Sequence, residues 1–443
     1  MVLRGDEQPP APDRGGTVTV KGGPAVDDAA DDGERVALVL SGGGARGAYE
    51  AGALSVLLPE LQRQGQRPRL VVGSSVGALN ATYLAATAHL DAEEAVTGLL
   101  RLWRGLELGK VIRPLILRHL PLFAARYLGS SLSLPVQRGN SLLDPAPLRG
   151  NLREWVDWEA LRSNLDNGRV DALAVVCTAV WTGRTVAFCD SKVEPPDHRS
   201  HILDYVRCQV ELEHVLASAA IPMLFPPVHI EHPDEARGWY IDGSTRLDTP
   251  LKPALDLGAE RVVVVGTSSV AEPDDRPGQH ESAPPSIADG AVNVLHGDVV
   301  DPLIEDMRML GNVNMFFAEG APGAHRYRRA RGKPAYRQVP YIFVGPPRNA
   351  IGELAVEVFR DRYSGVKALR SPDLALLGAL LGPGGAGRGE LLSYVFFDSE
   401  FLGALAEMGA ADARHWLDNG TGEIAPWQLE PLRAFTGGDA DAG

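Results

Sequence analysis

Short, uninterrupted apolar runs, each followed by a glycine-rich turn and a helical pattern, open the part of the chain that we expect to be ordered. The first run spans residues 35–40, and a helical pattern follows at Ala48–Leu61. A second run at Leu70–Val72 precedes another glycine turn and an Ala-rich helix that reaches Ala88. Apolar strands that alternate with helices are typical of a parallel sheet covered on both faces. The pattern predicts an α/β fold with a mostly parallel central sheet.

Weaker signals further along the chain predict the remaining elements. Strands are expected at 172–178, 185–189, 239–241, 261–266 and 339–344, and helices at about 287–311 and 395–417. A plausible hairpin turn, Trp181-Thr182-Gly183-Arg184, separates the first two of these strands. The C-terminal part is therefore expected to be mainly helical and to pack on the α/β core.

Composition divides the chain into expected regions. Residues 1–33 are rich in Pro, Gly and Asp and nearly lack large apolar side chains, so we expect a disordered tail. Residues 34–270 are expected to form one α/β domain. Residues 271–286 are rich in Pro and acidic residues and are expected to form a linker or loop. The helical extension is then placed at 287–437 and a frayed tail at 438–443.

Charge and cysteine content exclude several classes of protein. The 443 residues carry a formal net charge of −14, which disfavours nucleic-acid binding because phosphates repel an acidic chain. The mean hydropathy is −0.08, and no apolar run is long enough to predict a membrane-spanning helix. The three cysteines lack metal-ligand spacing and suit a reduced compartment, and the N-terminus shows no secretory signal. The expected location is the cytoplasm, with association to a membrane left open.

The second glycine turn matches the GxSxG pattern of a nucleophile turn in Gly73-Ser74-Ser75-Val76-Gly77. That pattern requires a strand before the serine and a helix after it, and both are predicted here. Small neighbours permit the sharp turn, which presents the Ser75 hydroxyl at the carboxyl edge of the sheet. The dipole of the following helix favours negative charge on that oxygen. The alternative is a Gly/Ser-rich loop that merely connects two elements.

The first glycine turn reads Ser41-Gly42-Gly43-Gly44-Ala45-Arg46-Gly47. Its glycine spacing fits a dinucleotide fingerprint, but such a site also needs an acidic residue at the end of the second strand, where Gly73-Ser74-Ser75 stands instead. The other interpretation is an oxyanion hole, in which the amides of Gly43, Gly44 and Ala45 donate to a developing alkoxide. Arg46 either pairs with a substrate phosphate or, as we favour, satisfies carbonyl groups of the loop.

A serine nucleophile needs a general base, and the residues offer two kinds of candidate. In a triad the base would be a histidine such as His296 or His325, although neither stands in an evident strand-end motif. The other candidate stands in Asp242-Gly243-Ser244, directly after a predicted strand. An Asp-Gly pair is usually only a turn, but here it would leave the Asp242 carboxylate at the same sheet edge as Ser75.

Four segments together resemble the bacterial patatin-like phospholipases. They are Leu40-Ser41-Gly42-Gly43-Gly44-Ala45-Arg46-Gly47-Ala48, Gly73-Ser74-Ser75-Val76-Gly77-Ala78, Ala217-Ser218-Ala219-Ala220-Ile221-Pro222 and Tyr240-Ile241-Asp242-Gly243. The resemblance covers about residues 35–270. It implies a three-layer patatin-like hydrolase fold and makes residues 34–270 the catalytic domain. Ser244 departs from the Gly or Ala of many members, but it is small enough to preserve the turn.

The resemblance also implies a Ser-Asp dyad in place of a triad. Ser75 would be the nucleophile, Asp242 the base, and the turn from Gly42 to Gly47 the oxyanion hole. The implied activity is hydrolysis of fatty-acyl esters through an acyl-enzyme, of the phospholipase A or lysophospholipase type, with no metal or organic cofactor. Two alternatives stay open: a neutral-lipid lipase or carboxylesterase on the same dyad, and an inactive acyl-binding or scaffold protein.

A helical cap insertion is expected at about 99–150. Within it, residues 99–138 carry many basic side chains against a single acid, Glu107, in an otherwise acidic chain. This segment is either a cationic amphipathic cap that rests on anionic lipid and gates the site, or a core-covering insertion with a solvated basic face. The expected partner is a phospholipid or other acyl-ester substrate. Only the first interpretation of the segment adds peripheral contact with an anionic membrane surface, and the sequence leaves the oligomeric state undetermined.

Three further segments allow smaller predictions. Residues 326–333 are basic but lack apolar spacing, which favours a loop. Residues 217–227 are apolar and proline-rich and either line an acyl channel beside Asp242 or pack in the core. Asp248 and Thr249 are expected to cap the helix that follows Pro250.

Overall fold

The structure is a computed structural model, and it describes ten stretches of the chain. These are residues 34–111, 113–114, 143–195, 203–222, 224–270, 287–318, 322–330, 337–363, 386–420 and 424–432. The tail expected at 1–33, the loop expected at 271–286 and the frayed end expected at 438–443 lie outside the described residues, as does much of the expected cap insertion.

A mixed sheet forms the centre of the molecule. Its described strands are β1 (Val36–Leu40), β2 (Pro68–Ser74), β5 (Ala172–Ala179), β6 (Thr185–Ser191), β7 (Leu203–Arg207), β8 (Val228–Ile230), β9 (Gly238–Asp242), β10 (Arg261–Val265) and β11 (Tyr341–Val344), while β3 (Arg113–Pro114) and β4 (Leu143–Asp144) pair separately. The main order is β11-β10-β1-β2-β5-β6-β7, and the first five of these strands are parallel. β1 and β5 are buried along their whole length, as expected for strands covered on both faces.

The strand β5 shares one of its edges between two partners. Residues Ala172–Val176 pair in parallel with β2, whereas Cys177–Ala179 pair antiparallel with β9. The opposite edge of β5 is occupied by β6. The end of β2 and the end of β9 therefore meet head to head, because Ser74 pairs with Val176 and Asp242 pairs with the next residue, Cys177.

Helices surround this sheet. In the described residues they are α1 (Gly47–Arg63), α2 (Val76–Ala86), α3 (Ala92–Arg104), α4 (Leu108–Val111), α5 (Ala146–Trp155), α6 (Trp158–Asp166), α7 (Leu212–Ser218), α8 (Leu251–Asp256), α9 (Ile287–Phe317), α10 (Pro322–Arg329), α11 (Ala350–Tyr363), α12 (Ala386–Val395) and α13 (Ser399–Asp418). Helix α3 shows how the apolar pattern places such an element. Its buried side chains, Ala95, Val96, Leu99 and Trp103, recur at helical spacing and form one face.

The C-terminal part is built into the core. Helix α13 packs along α1 at a close crossing, where a Cβ on Gly52 would lie 1.9 Å from the carbonyl oxygen of Ala406. The Tyr49 hydroxyl of α1 also donates to the Asp412 carboxylate of α13 at 2.7 Å. β11 adds a strand to the central sheet beside β10, and the described residues from Glu34 onward belong to one compact unit. The C-terminal part thus supplies one sheet strand as well as helices.

The predicted fold class is confirmed, and the differences concern element ends and short edge elements. The helix expected at 395–417 begins later, at Ser399, because the Asp398 side chain accepts from the amides of Glu400 and Phe401 and caps the helix there. Strands β7 and β8 were not predicted, since β7 is a half-exposed strand and β8 has only three residues. Of the segment 326–333, expected as a loop, residues 326–329 lie in the helix α10 (Pro322–Arg329), and residues 331–333 lie outside the described residues.

Candidate active site

The turn between β2 and α2 holds Ser75 in a sparsely populated backbone conformation. Its φ is 51° and its ψ is −124°, and only 3% of the residue is exposed. The glycines on both sides are required, because a Cβ on Gly73 would lie 2.3 Å from the carbonyl oxygen of Gly77, and one on Gly77 would lie 2.4 Å from that of Leu40. Such strain is kept only where surrounding structure enforces it, and it is frequent at functional sites.

Asp242 lies at the end of β9 and faces this turn. The Ser75 hydroxyl donates to Oδ2 of Asp242 at 2.6 Å, and the Ser244 amide donates to Oδ1 at 2.8 Å. Burial raises the pKa of Asp242 to about 6, against the hydrogen bonds from Ser75 and Ser244, which lower it. At neutral pH the group is therefore mainly a carboxylate, with more affinity for a proton than an exposed aspartate.

A third segment, which sequence reasoning treated only as channel wall or core, holds both of these residues in place. The Ser75 amide donates to the Ser218 hydroxyl at 2.9 Å, and that hydroxyl donates to the carbonyl oxygen of Val176 at 2.6 Å. The Asp242 amide donates to the carbonyl oxygen of Ala220 at 3.0 Å. A signal was present, since Ser218 is the single polar residue in the apolar segment Ala217–Pro222.

The first glycine turn packs directly against the Ser75 turn. A Cβ on Gly47 would lie 2.4 Å from the Val76 side chain. Gly43 and Gly44 have φ values of 150° and 59°, which favour glycine. Within the described residues, the amides of Gly43, Gly44 and Ala45 donate no hydrogen bond.

The remaining three amides of the predicted oxyanion turn are already used. The Gly42 amide donates to the carbonyl oxygen of Asp248 at 3.2 Å, the Arg46 amide donates to that of Gly43 at 3.1 Å, and the Gly47 amide donates back into the turn. Of the six residues predicted for an oxyanion hole, three can therefore offer a free amide to a ligand.

Two smaller predictions are resolved by the buried surroundings of the turn. Arg46 is 2% exposed and donates to the carbonyl oxygens of Thr267 and Glu390. Its contacts are structural, but the carbonyls lie on distant segments and not, as expected, in the glycine turn itself. The capping role expected for Asp248 and Thr249 is wrong. The residue directly before α8 is Pro250, and no side chain caps the helix. The Thr249 hydroxyl instead forms a hydrogen bond with the Ser41 hydroxyl at 2.6 Å, and the Asp248 side chain is buried beneath Gly42.

An apolar cavity that is open to solvent lies beside Ser75 and Gly44. Apolar side chains from α2, α3, α5, the segment after α7 and the end of α12 line it; among them are Leu79, Leu99, Leu102, Leu148, Leu152, Ala219, Ile221, Phe225, Val395 and Phe397. The segment 217–227 thus lines a cavity, as one of its two interpretations held. Asn80 fixes one wall, since the Trp103 indole donates to its Oδ1 at 3.0 Å.

The described part of the expected cap insertion is amphipathic. Arg101, Arg104 and Lys110 are exposed, whereas Leu102 and Trp103 line the cavity. Arg118, Arg126 and Arg138 lie outside the described residues. Whether the insertion moves as a lid stays a prediction.

Among the described side chains, no histidine lies in the position of a base for Ser75. Ser75 and Asp242 bond no described histidine side chain, and the His325 ring lies 6.1 Å from that of Phe317. His214, although buried near the sheet, makes its contacts with Phe188 and the start of α7. No group of His, Cys, Asp and Glu among the described residues has the geometry of a metal site, and no described helix is both long and apolar enough to cross a bilayer.

Comparison with known structures finds proteins of low sequence identity. The chain is similar to VipD from Legionella pneumophila at 15% identity, covering 84% of this chain and 67% of that one with a TM-score of 0.32. It is similar to human GIVD cytosolic phospholipase A2 at 15% identity and a TM-score of 0.35, covering 86% of this chain and 58% of that one. It is also similar to ExoU in its complex with SpcU from Pseudomonas aeruginosa, at 16% identity and a TM-score of 0.22, covering 89% of this chain and 73% of that one.

No curated protein matches the chain significantly. The model of one protein family, described as patatin-like phospholipase, matches residues 38–255. This match contains both glycine turns, the segment around Ser218, and Asp242. Residues 38–255 therefore form a domain of the patatin-like phospholipase family, a family of lipid acyl hydrolases.

Proposed function

We propose that the protein hydrolyses fatty-acyl esters of phospholipids or lysophospholipids through a dyad of Ser75 and Asp242. The observation that carries this proposal is the 2.6 Å hydrogen bond from the Ser75 hydroxyl to the Asp242 carboxylate, at the wall of an apolar cavity. The cavity takes the acyl chain, and the strained turn presents the nucleophile to the ester carbonyl.

In the acylation step, Ser75 Oγ attacks the carbonyl carbon while Asp242 accepts the hydroxyl proton. The carbonyl oxygen becomes an oxyanion, and the free amides of Gly43, Gly44 and Ala45 donate to it. When the tetrahedral intermediate collapses, the bond to the alcohol oxygen breaks. Asp242 returns its proton to that oxygen, and the lysolipid or alcohol leaves.

Deacylation repeats the same proton transfers with water. Asp242 accepts a proton from the attacking water, and the acyl bond to Ser75 Oγ breaks after a second oxyanion has formed in the same place. Ser75 recovers its proton from Asp242, and the fatty acid is released. No metal or organic cofactor takes part in this proposal.

An aspartate is a weak base for a hydroxyl, so other groups have to stabilise the charge that develops. The N-terminus of α2 begins directly after Ser75 and places its partial positive charge beside the nucleophile. The raised pKa of Asp242, about 6, brings this base closer to neutral pH. The oxyanion donors lie on a turn held by buried side chains, so little reorganisation is needed when the charge appears.

The surface beside the cavity supports contact with a lipid–water interface. Arg101, Arg104 and Lys110 are exposed on the same elements whose apolar side chains line the cavity. This arrangement suits a peripheral protein whose cations meet anionic headgroups while an acyl chain enters the cavity. Membrane association and the lid role of the insertion belong to this proposal.

The test is mass spectrometry of lipid products from phosphatidylcholine, lysophosphatidylcholine, triacylglycerol and short-chain esters. Wild type is expected to release fatty acid from the phospholipid substrates, and Ser75→Ala to release none. Ser163→Ala, a change at an exposed serine of α6, is the matched control and is expected to behave as wild type. Release from triacylglycerol alone would favour the neutral-lipid lipase, and no turnover of any ester by wild type would favour the inactive acyl-binding protein.

A further inference from the structure

The glycine turn of the site is held by a helix that lies outside the family match. Helix α12 (Ala386–Val395) comes long after residue 255, where the match ends, and packs on residues 44–46. Tyr394 and Val395 at its end, with the following Phe397, also line the cavity. The site is therefore completed by a segment that the family's motifs do not contain.

Nearly all side-chain contacts of Arg46 come from this helix. Its Nε donates to the Ser393 hydroxyl at 2.8 Å, and one Nη2 proton donates to the carbonyl oxygen of Glu390 at 3.1 Å. The same nitrogen forms an ion pair with the Glu390 carboxylate. The Tyr394 ring lies 4.0 Å from the guanidinium carbon. Only Nη1 bonds elsewhere, to the carbonyl oxygen of Thr267 at 3.2 Å.

Arg46 directly follows the three residues whose amides are free. Its own amide donates to the carbonyl oxygen of Gly43 and closes the turn. Gly44 touches the helix as well, because a Cβ there would lie 2.1 Å from the carbonyl oxygen of Tyr394. Both glycines have positive φ values, so the orientation of their amides depends on these surroundings.

We propose that Glu390 is a positioning residue for the oxyanion turn. Its carboxylate holds the buried Arg46 guanidinium, and Arg46 holds the Gly43, Gly44 and Ala45 amides where the oxyanion forms. This inference rests on the proposed ester hydrolysis. The physical reason is that a buried guanidinium stays buried only while its charge is paired. Without the carboxylate, Arg46 moves toward water, and the turn follows it.

Loss of Glu390 is expected to affect different kinetic constants from loss of a residue that lines the cavity. Displaced donors weaken stabilisation of the oxyanion, which exists only in the transition state and the tetrahedral intermediates. Binding of the acyl chain depends on the apolar cavity, which Glu390 does not line. Loss of its charge is therefore expected to lower kcat and to leave KM unchanged.

The test compares Glu390→Gln with a matched change on the next helix, Glu400→Gln, which removes an exposed ion pair with Arg362. Turnover of a soluble p-nitrophenyl ester gives kcat and KM, and thermal unfolding reports the fold. We expect Glu390→Gln to lower kcat about 10- to 100-fold, short of the loss of a whole oxyanion donor, with KM within about twofold. Glu400→Gln should change neither constant.

A double variant shows whether Glu390 acts through Arg46. Adding Glu390→Gln to Arg46→Gln is expected to change kcat little further, because both changes release the same turn. Losses that multiply would overturn the proposal. If Glu390→Gln does not fold, Glu390→Asp takes its place, because it draws the carboxylate away from Arg46 by one methylene; a fall in kcat at constant KM is again expected, and an unchanged kcat overturns the proposal.

The outcome also separates this inference from the proposed function. A wild type that hydrolyses esters, together with a Glu390→Gln variant of unchanged kcat, overturns only the positioning role. A wild type that hydrolyses no ester removes the proposed function and the positioning role with it.

Discussion

Replacing Asp242 with Asn keeps the size of the side chain and an acceptor oxygen for the Ser244 amide, but it removes the carboxylate that we propose accepts the Ser75 proton. A positioned general base contributes about 10²- to 10⁴-fold to rate, so kcat/KM for Asp242→Asn is expected to fall by about that factor. The fold is expected to survive, because no new volume and no new charge enter the core.

The same substitution is expected to stabilise the protein at alkaline pH. Burial raises the pKa of Asp242 from 3.8 to about 6, so the folded protein holds this proton more tightly than the unfolded chain does. The contribution of Asp242 to the free energy of unfolding therefore falls as pH rises from about 4 to about 6, by about 3 kcal/mol. Asn cannot ionise, so the free energy of unfolding of the variant does not fall in this pH range for this reason. Asp242→Asn should therefore melt above wild type at pH 8 and near it at pH 4.

The assay is release of fatty acid from a soluble ester between about pH 4.5 and 8.5, with thermal unfolding measured in the same buffers. For wild type, kcat/KM is expected to rise with pH through about 6 and then level off, since the base must be deprotonated. The residual rate of Asp242→Asn should lack that step, and an exposed control, Asp166→Asn, should match wild type throughout. Near-wild-type activity in Asp242→Asn would refute the dyad and return the role of base to a histidine.

Three further predictions concern the neighbourhood of the dyad. Gly44→Ala should abolish turnover of a soluble ester, because a φ of 59° is unfavourable for Ala and the new Cβ would lie 2.1 Å from the Tyr394 carbonyl oxygen. An active variant would show that the turn tolerates movement. Asp248→Asn should raise the melting temperature more at pH 8 than at pH 5, since burial raises the pKa of Asp248 to about 7, and equal shifts at both pH values would contradict that cause. Leu152→Trp, which fills part of the cavity, should raise KM for long-chain esters but not for acetate esters, and a uniform effect on both would place the acyl chain elsewhere.

The local parts of the site could be predicted from the sequence because each is a continuous segment. A glycine at positions 73 and 77, with a strand before and a helix after, is what a sharp strand-to-helix turn requires. The first glycine turn is likewise legible, since its positive φ values need glycine. Asp242 is different, because an Asp-Gly pair is a common turn. Only the resemblance of four segments together singled it out.

Interactions between distant segments stayed beyond sequence reasoning. Asp248 and Thr249 have the composition of a helix cap, but buried partners, among them Ser41, take their side chains instead. In the sequence, Ser218 is one small residue among alanines, and only the folded chain shows that its hydroxyl accepts a hydrogen bond from the Ser75 amide. Glu390 gives no signal in its own segment, because its partner Arg46 is 344 residues away.

The sequence by itself determined the α/β class, the two glycine turns and the position of the proposed nucleophile, because apolar periodicity and backbone sterics act within a few residues of one another. The tertiary structure decided which carboxylate meets Ser75. β2 and β9 end at adjacent positions along one edge of β5, and this register brings Ser75 to Asp242. It also decided which amides of the glycine turn stay free and which helix holds that turn. Hydrogen bonding and charge pairing in the core depend on distances that no local pattern records.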